Sequence, residues 1–400
     1  MAMDQEGSLL AEVSAAQLAP SLRSAIGAFV VMDVMREANA RQAAGEDVIH
    51  MEVGQPGTPA PRLVREAVKR EIDRGPLGYT DALGLPALRE RIAQHYQDTY
   101  KASISPARIV VTTGSSAGFL LAFLALLNPG DGIALPQPGY PCYRQIARVL
   151  GLRPIYLPAG LDARFAPSPK TLGTAMSEAG ARAALLASPA NPTGTMIAPA
   201  QFASLVQAAK DAGGWFISDE IYHGLTYAAD AVTALSFSDE AIVINSFSKY
   251  FSMTGWRIGW MAVPERLIRV FERLAQNLYI SPPAVSQFGA LAAFDAAEEL
   301  EVYKGVYVRN REMLLEELPK AGFGMLAPAD GAFYLYADIA RLTNDSEAFV
   351  RRMLKETGVA ATPGVDFDEA AGRHFLRFSY AGTFDHMREA ARRLKNWTAR

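Results

Sequence analysis

The chain has 400 residues and a formal net charge of −3; half of its residues are apolar and a fifth are charged. That is ordinary globular composition at a length that buries a sizeable core, and near-neutral charge without a long basic run argues against a general nucleic-acid or membrane-surface binder. The single cysteine, Cys142, excludes an internal disulfide and fits a reducing cytoplasm, and five scattered histidines offer no zinc-ligand spacing, so no metal site is expected.

Residues 1–20 carry acids where a secretory signal would be basic, and they lack an apolar core; a loosely ordered arm is expected there. A helix over 28–44 should end at Gly45, followed by an extended segment, "DVIHMEVGQP", that turns at Gly54. From about 105 to 263 strands and helices alternate. "RIVVTTG" reads as a strand and "SSAGFLLAFLALL" as the helix after it. "GIALPQPG" is a strand, followed by a helix through "YRQIARVL"; "ARAALLASP" is a strand, "APAQFASLVQAAKDAG" a helix and "GWFISDE" a strand. "AIVINSFSK" and "RIGWMAV" are strands. Such alternation implies a mostly parallel sheet covered on both faces. The apolar run at 119–127 falls well short of the roughly 18 residues that span a bilayer. Residues 265–320 read as mainly helical, and 323–400 mix short strands ("GAFYLYA", "RHFLRFSY") with helices, a smaller α+β unit.

Polar groups cluster just past the carboxyl ends of the strands: Ser115 and Ser116, Asn191, Asp219 and Tyr222, then Ser246, Ser248 and Lys249. Ligands of open α/β sheets bind at that edge. Taken singly, most have a plain structural reading. "TGSSAG" can be a turn with a serine cap, "NPTG" a turn, Asp219 a cap, Tyr140 a packing aromatic, His223 a satisfied histidine and Cys142 a small buried residue. Lys249 is harder to explain that way, because a structural lysine normally carries its charge to solvent. In "SFSKYFSMTGWRIGW" it follows an apolar strand and precedes aromatics, with Arg257 eight residues on. Desolvation and a nearby cation favour the neutral, nucleophilic amine. Arginine presents a fork suited to phosphate. A nucleophilic lysine, a phosphate cradle and an acid at neighbouring strand ends suit pyridoxal phosphate.

The motifs also resemble those of the fold-type I, class I/II aminotransferases. The lysine motif, "SPANPTG", "SDEIYHGL", "GYTDALGLPALRE", "VVTTGSSAGF", "LPQPGYPCY", "DGAFYLY" and "FLRFSYAG" all match in order, so the resemblance runs from about residue 28 onward. It implies a large α/β domain with a mostly parallel seven-stranded sheet between helices (the PLP-dependent transferase fold) and a smaller α+β domain. The expected division is an N-terminal arm and helix, 1–50, packing with the small domain; a large domain, 51–285; and a small C-terminal domain, 286–400.

By the same resemblance, Lys249 forms the internal aldimine with the cofactor and later shuttles the substrate proton. Asp219 pairs with the ring nitrogen, Asn191 and Tyr222 bond the ring oxygen, and Tyr140 stacks on the ring. Ser115, Ser116, Ser246, Ser248 and Arg257 hold the phosphate. Arg377 binds the substrate α-carboxylate near the backbone of Gly54, and the Asn191–Pro192 bond is cis. Tyr79 reaches across a cytoplasmic homodimer to the other subunit's phosphate. The plain reading of Arg377 is an ion pair with an acid such as Asp338. Ser116 stands where some subgroups that act on acidic substrates carry a lysine, which argues against those subgroups. The implied activity is transfer of an amino group from an L-amino acid to a 2-oxo acid, with donor and acceptor left open. A carbon–sulfur lyase would use the same cofactor residues. An aminotransferase-like regulator, the other alternative, would need a DNA-binding domain of its own; only about 50 residues precede the core and they are not basic, which argues against it. No G-x-G-x-x-G follows the first strand of the alternating region, which removes a nicotinamide dehydrogenase.

Overall fold

A computed structural model describes residues 19–399. The expectation of a loose arm falls largely on residues 1–18, outside the described residues. The central sheet has seven strands: β2 (Ile109–Thr112), β3 (Gly132–Gln137), β4 (Arg153–Pro158), β5 (Ala181–Ala187), β6 (Trp215–Asp219), β7 (Ile242–Ser246) and β8 (Gly259–Ala262). Their order is β2-β8-β7-β6-β5-β3-β4. Only β8 runs antiparallel to its neighbours, β7 and β2, so the sheet is mostly parallel, as expected.

Both faces of the sheet are apolar, as strands covered on two sides must be. In β7, Val243 faces one cluster of buried residues with Trp260, Leu186 and Phe216, while Ile242 and Ile244 face a second with Ile217, Leu185 and Met261. Helices Arg62–Asp73, Pro86–Tyr100 and Pro199–Asp211 bury residues in the first cluster; Ser115–Leu126 and Ile268–Tyr279 bury residues in the second. The sequence reading passed over β4. "RPIYLP" is no apolar run, and its two prolines are tolerated because it lies at the sheet edge, paired only with β3.

A third cluster brings together the two ends of the described chain. The short strand β1 (Ile49–His50) pairs in parallel with β10 (Val359–Ala360). Strands β9 (Tyr334–Asp338) and β11 (Thr362–Pro363) flank β12 (Phe375–Ser379) in an antiparallel sheet of order β11-β12-β9. Helices Val30–Ala43, Ala297–Lys320, Ser346–Thr357 and Phe384–Thr398 cover these strands. Among the described residues no helix is long and apolar enough to cross a membrane.

Candidate active site

The cavity of interest opens at the carboxyl ends of β2, β5, β6 and β7, where the polar residues were expected to converge. After β2 the chain turns at Gly114, with φ +80°, and enters the helix Ser115–Leu126. At that φ any side chain is strained, and a Cβ at Gly114 would stand 2.4 Å from Nη2 of Arg257 and displace it, so the turn favours glycine. No side chain caps this helix. Its free N–H groups, the Ser115 and Ser116 hydroxyls and the Arg257 guanidinium therefore form a cradle for a phosphate-sized anion. The Arg257 fork is held in place because Nη1 donates to the Thr254 carbonyl at 2.9 Å, and Thr254 Oγ1 in turn donates to the Ser248 carbonyl at 2.8 Å.

Ser248 lines the cavity; Ser246 does not. Ser246 is 1% exposed, and its hydroxyl lies 2.8 Å from Ser248 Oγ, accepts the Ser248 N–H at 3.0 Å and sits 3.0 Å from the Ile258 carbonyl. Ser246 thus sits behind Ser248 and bonds both its hydroxyl and its N–H.

Lys249 ends the same segment, half-buried, and its Nζ donates to the carbonyl oxygen of Gly54. Burial pushes its amine down to about 7; the Arg377 and Arg257 cations push the same way, while Asp219 opposes them. Asp219, at the end of β6, is buried. Its Oδ2 accepts the Tyr143 hydroxyl and its Oδ1 accepts the Ile221 N–H at 3.1 Å. Burial raises its carboxyl to about 6, against the lowering effect of those two bonds and of Lys249.

Asn191 follows β5, and the Asn191–Pro192 bond is cis, as expected. Its Oδ1 accepts from Nη1 of Arg377 at 2.9 Å. Arg377, in β12, is 3% exposed; Nη2 donates to the Glu52 carbonyl and to Thr362 Oγ1 at 3.1 Å. Its Nε is buried without a partner, and its guanidinium carbon lies 4.4 Å from the Tyr334 ring centroid and 4.8 Å from that of Phe367. Among the described residues no carboxylate pairs with it. Asp338 instead accepts the Ala340 N–H at 2.8 Å, so the plain ion-pair reading does not hold.

Tyr222 shares a hydrogen bond with Tyr334, 2.7 Å between hydroxyls, and Tyr140 sets its ring edge-on to Tyr143 at 5.3 Å. Tyr222, Tyr140 and Gly54 all line the cavity. Tyr79 does not: it is 83% exposed, in a surface groove beside Leu77 and Phe288. His223 is structural, as read. Tyr100 OH lies 2.8 Å from Nδ1 and the Ser188 carbonyl 3.0 Å from Nε2, and burial pushes the ring down to about 3, so it is neutral. Cys142 is only half-buried.

Sequence reasoning missed Tyr143, Tyr334 and Thr254, although all three stand inside the quoted motifs, and it missed the apolar lining by Phe29, Val31, Met32, Val53 and Ile221. As a donor set the site fits pyridoxal phosphate. A depressed lysine and a buried acid line one cavity, an uncapped helix start and a forked cation make an anion cradle, and the guanidinium of Arg377 lines the same cavity with no carboxylate partner among the described residues.

Residues 46–394 match the family model described as aminotransferase class I and II. The chain is 44% identical to a valine–pyruvate aminotransferase of Mycobacterium tuberculosis, over 94% of this chain and 98% of that one. It superposes on the crystal structure of an aminotransferase from Mycobacterium tuberculosis with a TM-score of 0.93 at 43% identity, covering 96% of this chain and all of that one. An aspartate aminotransferase from Thermus thermophilus, solved with maleate, aligns with a TM-score of 0.90 at 28% identity, over 95% and 100% of the two chains.

Proposed function

The chain belongs to the class I and II aminotransferases, and from that membership we propose how its residues divide the work. It is a pyridoxal-phosphate-dependent enzyme that moves an amino group from an amino acid to a 2-oxo acid. When bound, the cofactor supplies an aldehyde that takes up the amine and a ring that accepts electrons.

One observation carries the residue assignment: Lys249, Asp219, Arg257 and Arg377 line a single cavity, in which burial brings the lysine amine down to about 7, so that a large share of it is unprotonated at neutral pH. Lys249 is the group joined to the cofactor. Once displaced by the substrate amine, it takes and returns the proton at the substrate α-carbon. Asp219 offers its carboxylate to the ring nitrogen, held in orientation by Tyr143 and the Ile221 N–H. Asn191 and Tyr222 bond the ring oxygen, and Tyr140 flanks the ring. Ser115, Ser116, Ser248 and Arg257 hold the phosphate. Arg377 grips the substrate α-carboxylate with its planar fork, beside Asn191 and the Gly54 backbone.

The enzyme works as a homodimer, with Tyr79 reaching the other subunit's site; the exposure of Tyr79 and Leu77 supports this. The chain divides at 51 and 286 into an N-terminal arm, a large domain and a small domain, and the pairing of β1 with β10 supports placing the arm with the small domain. One cysteine in 400 residues supports a cytoplasmic setting. The names of the relatives favour transfer over carbon–sulfur lyase chemistry. Adding amino acids singly to the cofactor-loaded protein tests the reading. At least one should bleach the cofactor's visible band, and a 2-oxo acid should restore it. Release of pyruvate and ammonia from cystathionine without any oxo acid would favour the lyase instead.

A further inference from the structure

One wall of the cavity is built by a segment far from the strand ends. Phe29, Val31 and Met32 line it at the start of the helix Val30–Ala43, together with Val53 and Ile221; Val31 is buried, Phe29 is half-buried and Met32 stands at the solvent rim, 42% exposed. The residue before this helix supplies no side-chain cap. The cap comes instead from Asp366, whose Oδ1 accepts the Val30 N–H at 3.3 Å and whose Oδ2 accepts the Val31 N–H at 3.1 Å. Asp366 is 1% exposed, and a carboxylate at a helix start is favoured by the free N–H groups there.

The loop that carries Asp366 is itself tied to the region around β3. Nη2 of Arg144 donates to the Asp366 carbonyl at 2.8 Å, Gln137 donates to Asp368 at 2.9 Å, and Arg148 makes two bonds of 2.9 Å to Glu369. The next residue, Phe367, flanks the Arg377 guanidinium. One loop thus fixes both the apolar wall and one side of the arginine assigned to the α-carboxylate.

Among the described residues the cations lining the cavity are Lys249, Arg257 and Arg377, and none belongs to the wall. An acidic side chain pressed against Phe29 and Val31, under the rim formed by Met32, would lose water without gaining a partner. A branched apolar side chain would gain by burial.

We propose that Phe29, Val31 and Met32 receive the donor's side chain and select apolar over acidic ones, and that Asp366 is the positioning residue that holds them there. The inference rests on the transamination reading above.

The test uses the loaded enzyme with L-valine, L-alanine or L-aspartate added singly. Wild type should convert valine at least ~10-fold more efficiently than aspartate, the scale of discrimination that an apolar pocket supplies. Met32→Arg should move that ratio toward aspartate by a similar factor. Asp366→Ala should raise KM for valine about 10-fold more than for alanine, whose methyl group falls short of the wall, with kcat changing far less. Calorimetry with isovalerate, which needs no turnover, should show the same loss of affinity, and Asp366→Asn should fall between. Preference for aspartate in wild type, or equal effects of Asp366→Ala on valine and alanine, would overturn the wall and leave transamination standing. If Asp366→Ala does not fold, Met32→Arg decides: an unchanged ratio overturns the proposal. Conversion of no amino acid at all would overturn the transamination reading and this inference with it.

Discussion

The Tyr143 hydroxyl donates to Oδ2 of Asp219, from the first turn of the helix Pro141–Val149 to the end of β6. Burial pushes this carboxyl up to about 6, and the tyrosine bond is the largest influence that opposes it. Tyr143→Phe removes the bond and keeps the ring. A hydrogen bond to a charged group contributes about 1.5–3 kcal/mol, so kcat should fall by ~10- to 100-fold with every donor. The check is kcat against pH. The mutant's acidic limb should move upward, because Asp219 now loses its proton at higher pH. An unshifted limb with full kcat would remove Tyr143 from the site's function.

Lys249 sets a second expectation. Its amine is pushed down to about 7, chiefly by burial, in the cofactor-free chain. Only the neutral amine attacks an aldehyde. The rate at which cofactor-free protein takes up pyridoxal phosphate should therefore rise with pH and level off above about 7. Stopped-flow absorbance measures it. A midpoint near 10, the ordinary lysine value, would show that burial and the two arginines do not act on this amine.

Arg377→Lys should lower kcat/KM by on the order of 100-fold with valine, alanine and aspartate alike, because a point charge cannot replace two parallel hydrogen bonds. The visible band of the bound cofactor should survive. Damage confined to one donor would move Arg377 to side-chain selection, and loss of the cofactor would make it part of the fold.

Much of this site was legible because apolar strand runs are easy to find and their carboxyl ends fall where the chain turns polar. Lys249, Asp219 and Asn191 were placed that way. The orientation of Ser246 was not legible, because a strand end says nothing about which way the last side chain turns; here its hydroxyl lies against the Ile258 carbonyl and Ser248. Strand β4 was missed because "RPIYLP" offers no apolar run and carries prolines at its second and last positions, which its place at the sheet edge tolerates. The wall of Phe29, Val31 and Met32 was out of reach for another reason. Its anchor, Asp366, lies more than 300 positions along the chain, and no local pattern links the two.

Tyr79 offers a check on assembly. It does not line its own chain's cavity and is 83% exposed. Tyr79→Phe should weaken cofactor binding by about 10-fold, the loss of one charge-assisted hydrogen bond, while sedimentation still shows a dimer. A fully active monomer, or unchanged cofactor affinity in the mutant, would contradict sharing of the site.

The central claim is that Lys249 is the residue joined to the cofactor. Borohydride reduction of the loaded enzyme fixes that link irreversibly, and peptide mass mapping then finds it. The added mass should sit on Lys249 alone, and Lys249→Ala should carry none and show no turnover. The mass on any other lysine, or turnover near the wild-type rate in Lys249→Ala, would contradict the account.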